Sequence, residues 1–444
     1  SIVCCPALEC YKRMETTWKL APVRAEVILE LFFFKTPVLP PTILSLLNHN
    51  HTTTIDTPRM TSGPGEINSK SNPLGNEITT AVRRTASLAT GISVGTAAIA
   101  AGFPSASLAA GGAQKGTWKK VEIPTSETLF DISFDPKKSG HGWLVGAKGT
   151  FLETFDGGNT WSARSFSNLD EDEEITYRFE VASISADEGW IIGKPAIMLH
   201  TRDGGKQFER IPLSPKLPGE PTLIKSTGQG EAEMITSQGA VYQTKNGGLN
   251  WKAQVKETID ATLNRVSSSG TSGASFFTGK IANQVRDKNG NYIAVAARGN
   301  LFLTWTPGQD YWVPHNRGSS RRIQNMGFIN GDAKNGIWMS LNGGALLKTG
   351  PNPDLNQVDI ESLFKPCKIN TGGYGILDVA FNDDLKEAWA VGGSGIIFYS
   401  GDGGETWKFN SDAKDIPGNL YTVKMFGEST AFALGSNGVL LKKT

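Results

Sequence analysis

The sequence predicts an all-β fold: a seven-bladed β-propeller with Asp-box-like hairpins, its last blade completed by an N-terminal strand. Three observations carry this. A unit recurs seven times, with equivalent hydroxyls at Thr154, Thr201, Thr244, Thr304, Thr349, Ser400 and Thr444, spaced by 47, 43, 60, 45, 51 and 44 residues. Repeats of about 40–50 residues built from short strands mark propeller blades, each a four-stranded sheet. Within a unit, runs such as "WLVG" and "GTFLET" lie between Gly-rich turns, and 118–444 shows no sustained helical period. Finally, the last copy stops at Thr444, short of its turn and outer strand, while "GTWKKVEIP" at 116–124 supplies the missing piece. Trp118 stands where Trp161, Trp251 and Trp407 stand in other units.

Residues 1–113 are expected to contribute no fold. Residues 52–80 are rich in Ser, Thr, Asn, Gly and Pro, whereas 1–51 hold four acidic residues. The whole of 1–80 is therefore expected to be a disordered plastid-targeting or mis-predicted leader. At 81–113, Arg83 and Arg84 precede thirty uncharged residues, Thr85 to Gln114. A secretory signal has a basic start, a short apolar run and small residues before its cleavage point. Ser107-Leu108-Ala109 offers that point, and the arginine pair points to the twin-arginine export route that bacteria and thylakoids share, with an uncleaved anchor or a plain linker as the alternatives. A leader followed by this signal reads as a two-part address. Residues 114–444 then form the propeller.

Inside each unit the "T-x-D-G-G-x-T-W" string reads as a hairpin turn. Asp156, Asp203 and Asp402 can accept turn N–H groups, as can Asn246 in their place. The paired glycines supply positive φ. The tryptophans are expected to cover seams between blades. Such boxes occur in sialidases and other propellers, where they hold blades together and carry no chemistry.

Composition excludes several functions for 114–444. With nine basic and seven acidic residues in 1–113, the remaining 331 residues carry −1 of the chain's +1, so net charge draws neither nucleic acid nor an anionic membrane. Three of four cysteines lie at Cys4, Cys5 and Cys10, and Cys367 alone remains, so the propeller can form no disulfide within itself. His141, His200 and His315 stand without metal spacing and read as surface or packing residues. The acidic string "NLDEDEEITYRFE" at 168–180 lacks the spacing of a Ca²⁺ loop. No cofactor or metal is expected.

The third interval, 60 residues, ends on the fourth unit and is longer than the others, with its excess assigned to 265–292 and a charged insert around 280–290. Between Ala261 and Gly331 eight basic residues face only Asp287 and Asp310, a local +6 that holds six of the ten arginines of 114–444. Arginine suits forked recognition of carboxylates.

The twin-arginine leader, the seven units with N-terminal closure and the strings "SSSGTSGASFFTG", "AARGNLFLTWTPGQ" and "HNRGSSRRIQNMGF" together resemble the photosystem II stability/assembly factor family. The resemblance covers essentially all of 116–444. It implies a non-enzymatic lumenal scaffold, peripheral to the thylakoid membrane and monomeric, that binds the newly made precursor of the first reaction-centre subunit and early assembly intermediates. It also implies that an arginine-rich face is the contact surface. By match of strings that face comprises Arg265, Arg298, Arg317, Arg321 and Arg322, with Arg178 of "YRFE" added. The insert leaves Arg286 open as a contact.

The alternatives are a sialidase-like glycoside hydrolase or another propeller binding module. "RIP" at 210–212 matches a sialidase string, but it follows the second turn instead of preceding the first. No pair of carboxylates or activated tyrosine can be singled out. Trp305, Tyr311 and Trp312 beside arginines suggest base stacking, but Trp312 holds the structural box position.

Overall fold

The computed structural model describes residues 117–166, 177–267, 280–412 and 415–443, so the expected leader and signal lie outside the described residues. Seven four-stranded antiparallel sheets form the blades. Blades 1 to 6 span 129–163, 178–210, 221–253, 281–316, 323–366 and 376–409. Blade 7 takes three strands from 420–443 and its outer strand from Trp118–Lys120.

The second strand of each blade is the most apolar because sheets cover both its faces. Gly142–Gly146, Tyr292–Ala296, Ile337–Leu341 and Ala388–Gly392 are buried at every position. A strand buried on both faces reads as a continuous apolar run, not an alternating one. Trp143, Trp190, Trp338 and Trp389 occupy the same register position in four blades and fill the seams.

Ring closure follows the sequence bookkeeping. Trp118, Lys119 and Lys120 pair with Lys443, Lys442 and Leu441. The Trp118 indole is 4% exposed and packs edge-on against Trp389 of blade 6, with ring centroids 5.2 Å apart. Side chains also stitch successive inner strands. Asp131 accepts Ala182 N–H at 3.2 Å, Asp378 accepts Val423 N–H at 2.9 Å, and Thr422 donates to Phe130 O at 3.0 Å.

The turns before the outer strands are built from their own side chains. Thr154 Oγ1 accepts Gly158 N–H at 3.0 Å and donates to Asp156 Oδ1 at 2.8 Å. Asp156 in turn accepts the N–H groups of Asn159 and Thr160 at 2.9 and 3.0 Å, which hold its carboxyl well below the usual range. Ser400 and Asp402 repeat the arrangement in blade 6, and Asn246 stands in for the carboxylate in blade 3. Gly158 has φ +79° and sits where a Cβ would meet the Phe432 ring at 2.6 Å, so the turn of blade 1 rests against blade 7.

Two expectations need correction. Between blades 3 and 4 a helix, α1 (Ile259–Ser267), interrupts the all-strand pattern. Its Ile259 and Leu263, four residues apart, are 0% and 2% exposed, and Ile259 seats against the Gly239 backbone. One apolar pair over nine residues is too short to stand out as a period. Nor is 280–290 an insert: Ile281–Arg286 is the inner strand of blade 4, with its turn following. The excess length falls in α1 and in residues 268–279, which lie outside the described residues, as does most of the acidic string.

Candidate functional site: an arginine-bearing end of the ring

Two kinds of loop open at one end of the ring: those joining second to third strands within a blade, and those joining one blade's outer strand to the next blade's inner strand. All six singled-out arginines fall in or at the edge of such loops. Arg298 sits between Tyr292–Ala296 and Leu301–Trp305 of blade 4. Arg317, Arg321 and Arg322 lie in the link from blade 4 to blade 5, Arg265 lies on α1, and Arg178 opens the inner strand of blade 2.

Backbone hydrogen bonds draw four of them together. Gly299 O accepts Ile323 N–H at 2.8 Å, so the loop bearing Arg298 abuts the residue after Arg322. Gly299 has φ +61°, and a Cβ there would strike Ile323 O, so only glycine lets the two chains approach this closely. Arg322 O accepts Asn342 N–H at 2.9 Å, tying on the next loop of blade 5. Arg321 Nη1 lies 3.5 Å from where a Cβ on Gly343 would stand. The result is a contiguous patch across blades 4 and 5.

The charges there are uncompensated. Arg298, Arg321 and Arg322 are exposed, and among the described residues none has a side-chain hydrogen bond or ion pair. Arg317 is half-buried, and its Nε donates to Ser319 O at 2.6 Å, which fixes the loop. Free guanidinium groups on a tied loop are ready donors for carboxylates.

The other two arginines are engaged. The Arg265 guanidinium lies 3.6 Å from the Tyr311 ring centroid, and its Nε donates to Glu257 at 3.3 Å. Arg178 is two blades away from Arg298, stacks 4.0 Å over Phe130 and pairs with Glu180 at 3.2 Å. Arg286 is structural: it pairs with Glu233 at 2.7 Å, and the Tyr292 hydroxyl donates to the same carboxylate at 3.0 Å.

Sequence reasoning missed Tyr374. It is 49% exposed in the link from blade 5 to blade 6, and its carbonyl packs on Gly344, the neighbour of Gly343. A single tyrosine in a glycine-rich loop gives no periodic signal. The histidines are packing residues: His141 Nε2 meets Glu153 at 2.8 Å, His200 is bracketed by Glu188 and Glu209, and His315 Nε2 meets Thr304 Oγ1 at 2.8 Å. No group of three metal-ligating side chains converges among the described residues. Trp305 and Trp312 are buried, and Arg265 covers Tyr311, so these three rings present no stacking platform for bases.

Comparison with known proteins completes the picture. The family model described as photosynthesis system II assembly factor YCF48 matches residues 111–444. The chain is 56% identical over 325 residues to the chloroplastic photosystem II stability/assembly factor HCF136 of Cyanidioschyzon merolae, covering 73% of this chain and 74% of that one. It is 42% identical to the Arabidopsis thaliana protein of the same description, over 74% of this chain and 79% of that one. The solved structure of YCF48 from Cyanidioschyzon merolae superposes with TM-score 0.68 at 54% identity, over 73% of this chain and 98% of that one. A second, described as YCF48 bound to D1 peptide, gives TM-score 0.63 at 39% identity, over 74% and 97%. A xyloglucanase from Xanthomonas campestris, at 16% identity and TM-score 0.53 over 73% of this chain and 53% of that one, shares the fold alone.

Proposed function

We propose, since the chain belongs to the photosystem II assembly factor family, that it is the scaffold that holds the newly made precursor of the first reaction-centre subunit during early assembly and repair. Membership in a family of assembly factors also removes the glycoside-hydrolase alternative, because the hydrolase neighbours share only architecture. The observation that carries the reading is the patch of Arg298, Arg321 and Arg322, exposed and without partners among the described residues. A relative described as bound to D1 peptide supports a reaction-centre segment as the ligand. We place the protein in the thylakoid lumen, peripheral to the membrane and monomeric, with early assembly intermediates as further partners. Arg265 and Arg178 belong to the same end of the ring and extend the contact.

The test is a triple substitution of Arg298, Arg321 and Arg322 by Ala, with binding to the reaction-centre precursor measured on thylakoid extracts. A desolvated forked arginine costs about 2–5 kcal/mol when truncated, so binding falls at least tenfold while the melting temperature stays put. Binding equal to that of the unchanged protein would refute the assignment.

A further inference from the structure

The loops joining first to second strands and third to outer strands open at the other end of the ring, away from the arginine patch. Charge is unevenly spread there. In blades 1 to 3 these loops carry five basic residues against four acidic ones, and in blades 4 to 7 three against twelve. The four acidic side chains of the first sector are engaged. Asp135 accepts the N–H groups of Lys137 and Ala186, Asp156 and Asp203 hold their own turns, and Asp187 pairs with Lys138. Lys137, Lys206 and Lys245 are exposed and make no side-chain hydrogen bond or ion pair among the described residues.

The same sector bears two apolar side chains at turn tips. Phe155 is 72% exposed and Leu249 77%. The turn itself needs neither. Positions equivalent to Phe155 in blades 2, 3 and 6 hold Arg202, Lys245 and Gly401, and those equivalent to Leu249 in blades 1, 2 and 6 hold Asn159, Lys206 and Glu405. Phe155 is held in place by the ring beneath it. It stacks on the buried His141 with centroids 5.0 Å apart and planes within 7°, and Glu153 fixes His141 at 2.8 Å. Phe155, Lys138, Arg164 and Lys206 line a cleft of about 250 Å³ between the turns of blades 1 and 2. Arg164 donates to Gly205 O at 2.7 Å across that seam, and Arg202 packs over Gly247 across the next, so the three turns form one surface.

We infer that the turns of blades 1 to 3 are a second docking surface, which takes an acidic amphipathic segment of a partner polypeptide. One apolar side chain of the segment seats in the cleft against Phe155, another lies by Leu249, and its carboxylates meet Lys137, Lys206 and Lys245. A ring that is already fixed loses little freedom on binding. A bilayer would lie flat against this end and meet the acidic loops of blades 4 to 7 as well, whereas a segment of a few residues fits within the one sector those loops leave free. The same contrast places the segment, since its acidic side chains are drawn to blades 1 to 3 and repelled elsewhere at this end. The surface is independent of the arginine patch, and a ring with both holds acidic segments at its two opposite ends.

The test uses the full chain carrying Arg298→Ala, Arg321→Ala and Arg322→Ala, which silences the other end. The probe is a fluorescein-labelled octapeptide of alternating glutamate and leucine, followed by anisotropy, with its glutamine–leucine counterpart as the uncharged control. Saturable binding of the glutamate peptide is expected. It should weaken about tenfold or more with the glutamine peptide, with Phe155→Ser plus Leu249→Ser, and with Lys137→Gln plus Lys206→Gln. Val358→Ser, at an 86% exposed position among the acidic loops, should leave it unchanged. In parallel, the glutamate peptide bearing a benzophenone is photo-crosslinked to the unchanged chain, which needs no variant to fold. Adducts are expected within 135–141, 155–161, 202–208 or 245–251, read by peptide mass spectrometry. No adduct in these turns, equal affinity for the two peptides, or an equal loss with Val358→Ser would overturn the surface. Failure to bind the peptide, together with cosedimentation on phosphatidylglycerol vesicles that requires Phe155 and Leu249, would overturn it in favour of a membrane contact. Each of these failures leaves the reading of the arginine patch standing.

Discussion

His315 shows how one buried side chain sets an acid limit. It is 2% exposed, its Nε2 meets Thr304 Oγ1, and burial lowers its pKa from 6.5 to about 4. A depressed folded pKa gives stability that is present above the unfolded value and lost as pH falls toward the folded one. Between pH 6.5 and 4 this histidine therefore withdraws about 3 kcal/mol of stability. Asp378 works in the opposite sense. Burial raises its carboxyl from 3.8 to about 7, so its contribution is complete below pH 4 and is lost as pH rises through 7. Urea unfolding at pH 7 and pH 4.5 measures the net difference of these opposing effects: His315→Gln should lower the stability at pH 7 relative to that at pH 4.5, and Asp378→Asn should raise it. Unchanged slopes in both variants would contradict these environments.

At the scale of the element, the N-terminal strand Trp118–Lys120 is three residues long and holds a whole ring shut. It ends the edge that blade 7 would otherwise expose, and its indole fills the seam against Trp389. Trp118→Ala should cost about 3–5 kcal/mol. The loss should appear as one earlier melting transition of the entire propeller, since no blade is stable apart from its neighbours. A separate early transition, with the main one unmoved, would show the strand to be an appendage. This closure was legible in the sequence because the cut-off last unit and the leading Trp118 are two halves of one repeat. Blade number and turn chemistry were legible for the same reason: Asp156, Asn246 and Asp402 recur at fixed offsets. The helix α1 was not, because Ile259 and Leu263 are its only fully buried apolar pair. Nor was the engagement of Arg265 by Tyr311, 46 positions along the chain, since only the fold brings such residues together.

Across the whole molecule, charge is arranged rather than accumulated. Residues 114–444 carry about −1 in all, and yet the span 261–331 carries +6. Screening at physiological salt limits the reach of each charge to about 8 Å, so arginines act jointly only where the ring sets them side by side. The loops of blades 4 and 5 do so through the Gly299–Ile323 and Arg322–Asn342 hydrogen bonds. Two physical effects then operate at one surface. Positive potential speeds the encounter with an acidic segment, and this depends on charge alone. Forked donation to carboxylates holds the complex, and this depends on guanidinium shape. Replacing Arg298, Arg321 and Arg322 together by Lys keeps the first and removes the second. The association rate for a reaction-centre precursor peptide should therefore stay within about twofold and keep its decline with added salt. Dissociation should speed up about a hundredfold or more, since three forked pairs are lost and each is worth about a kcal/mol or more. Replacement by Ala should instead slow association and flatten its salt dependence. Stopped-flow binding at low and at physiological ionic strength separates the two. Equal dissociation rates for the unchanged and Lys-substituted proteins would mean that the patch only steers its partner and that other residues hold it.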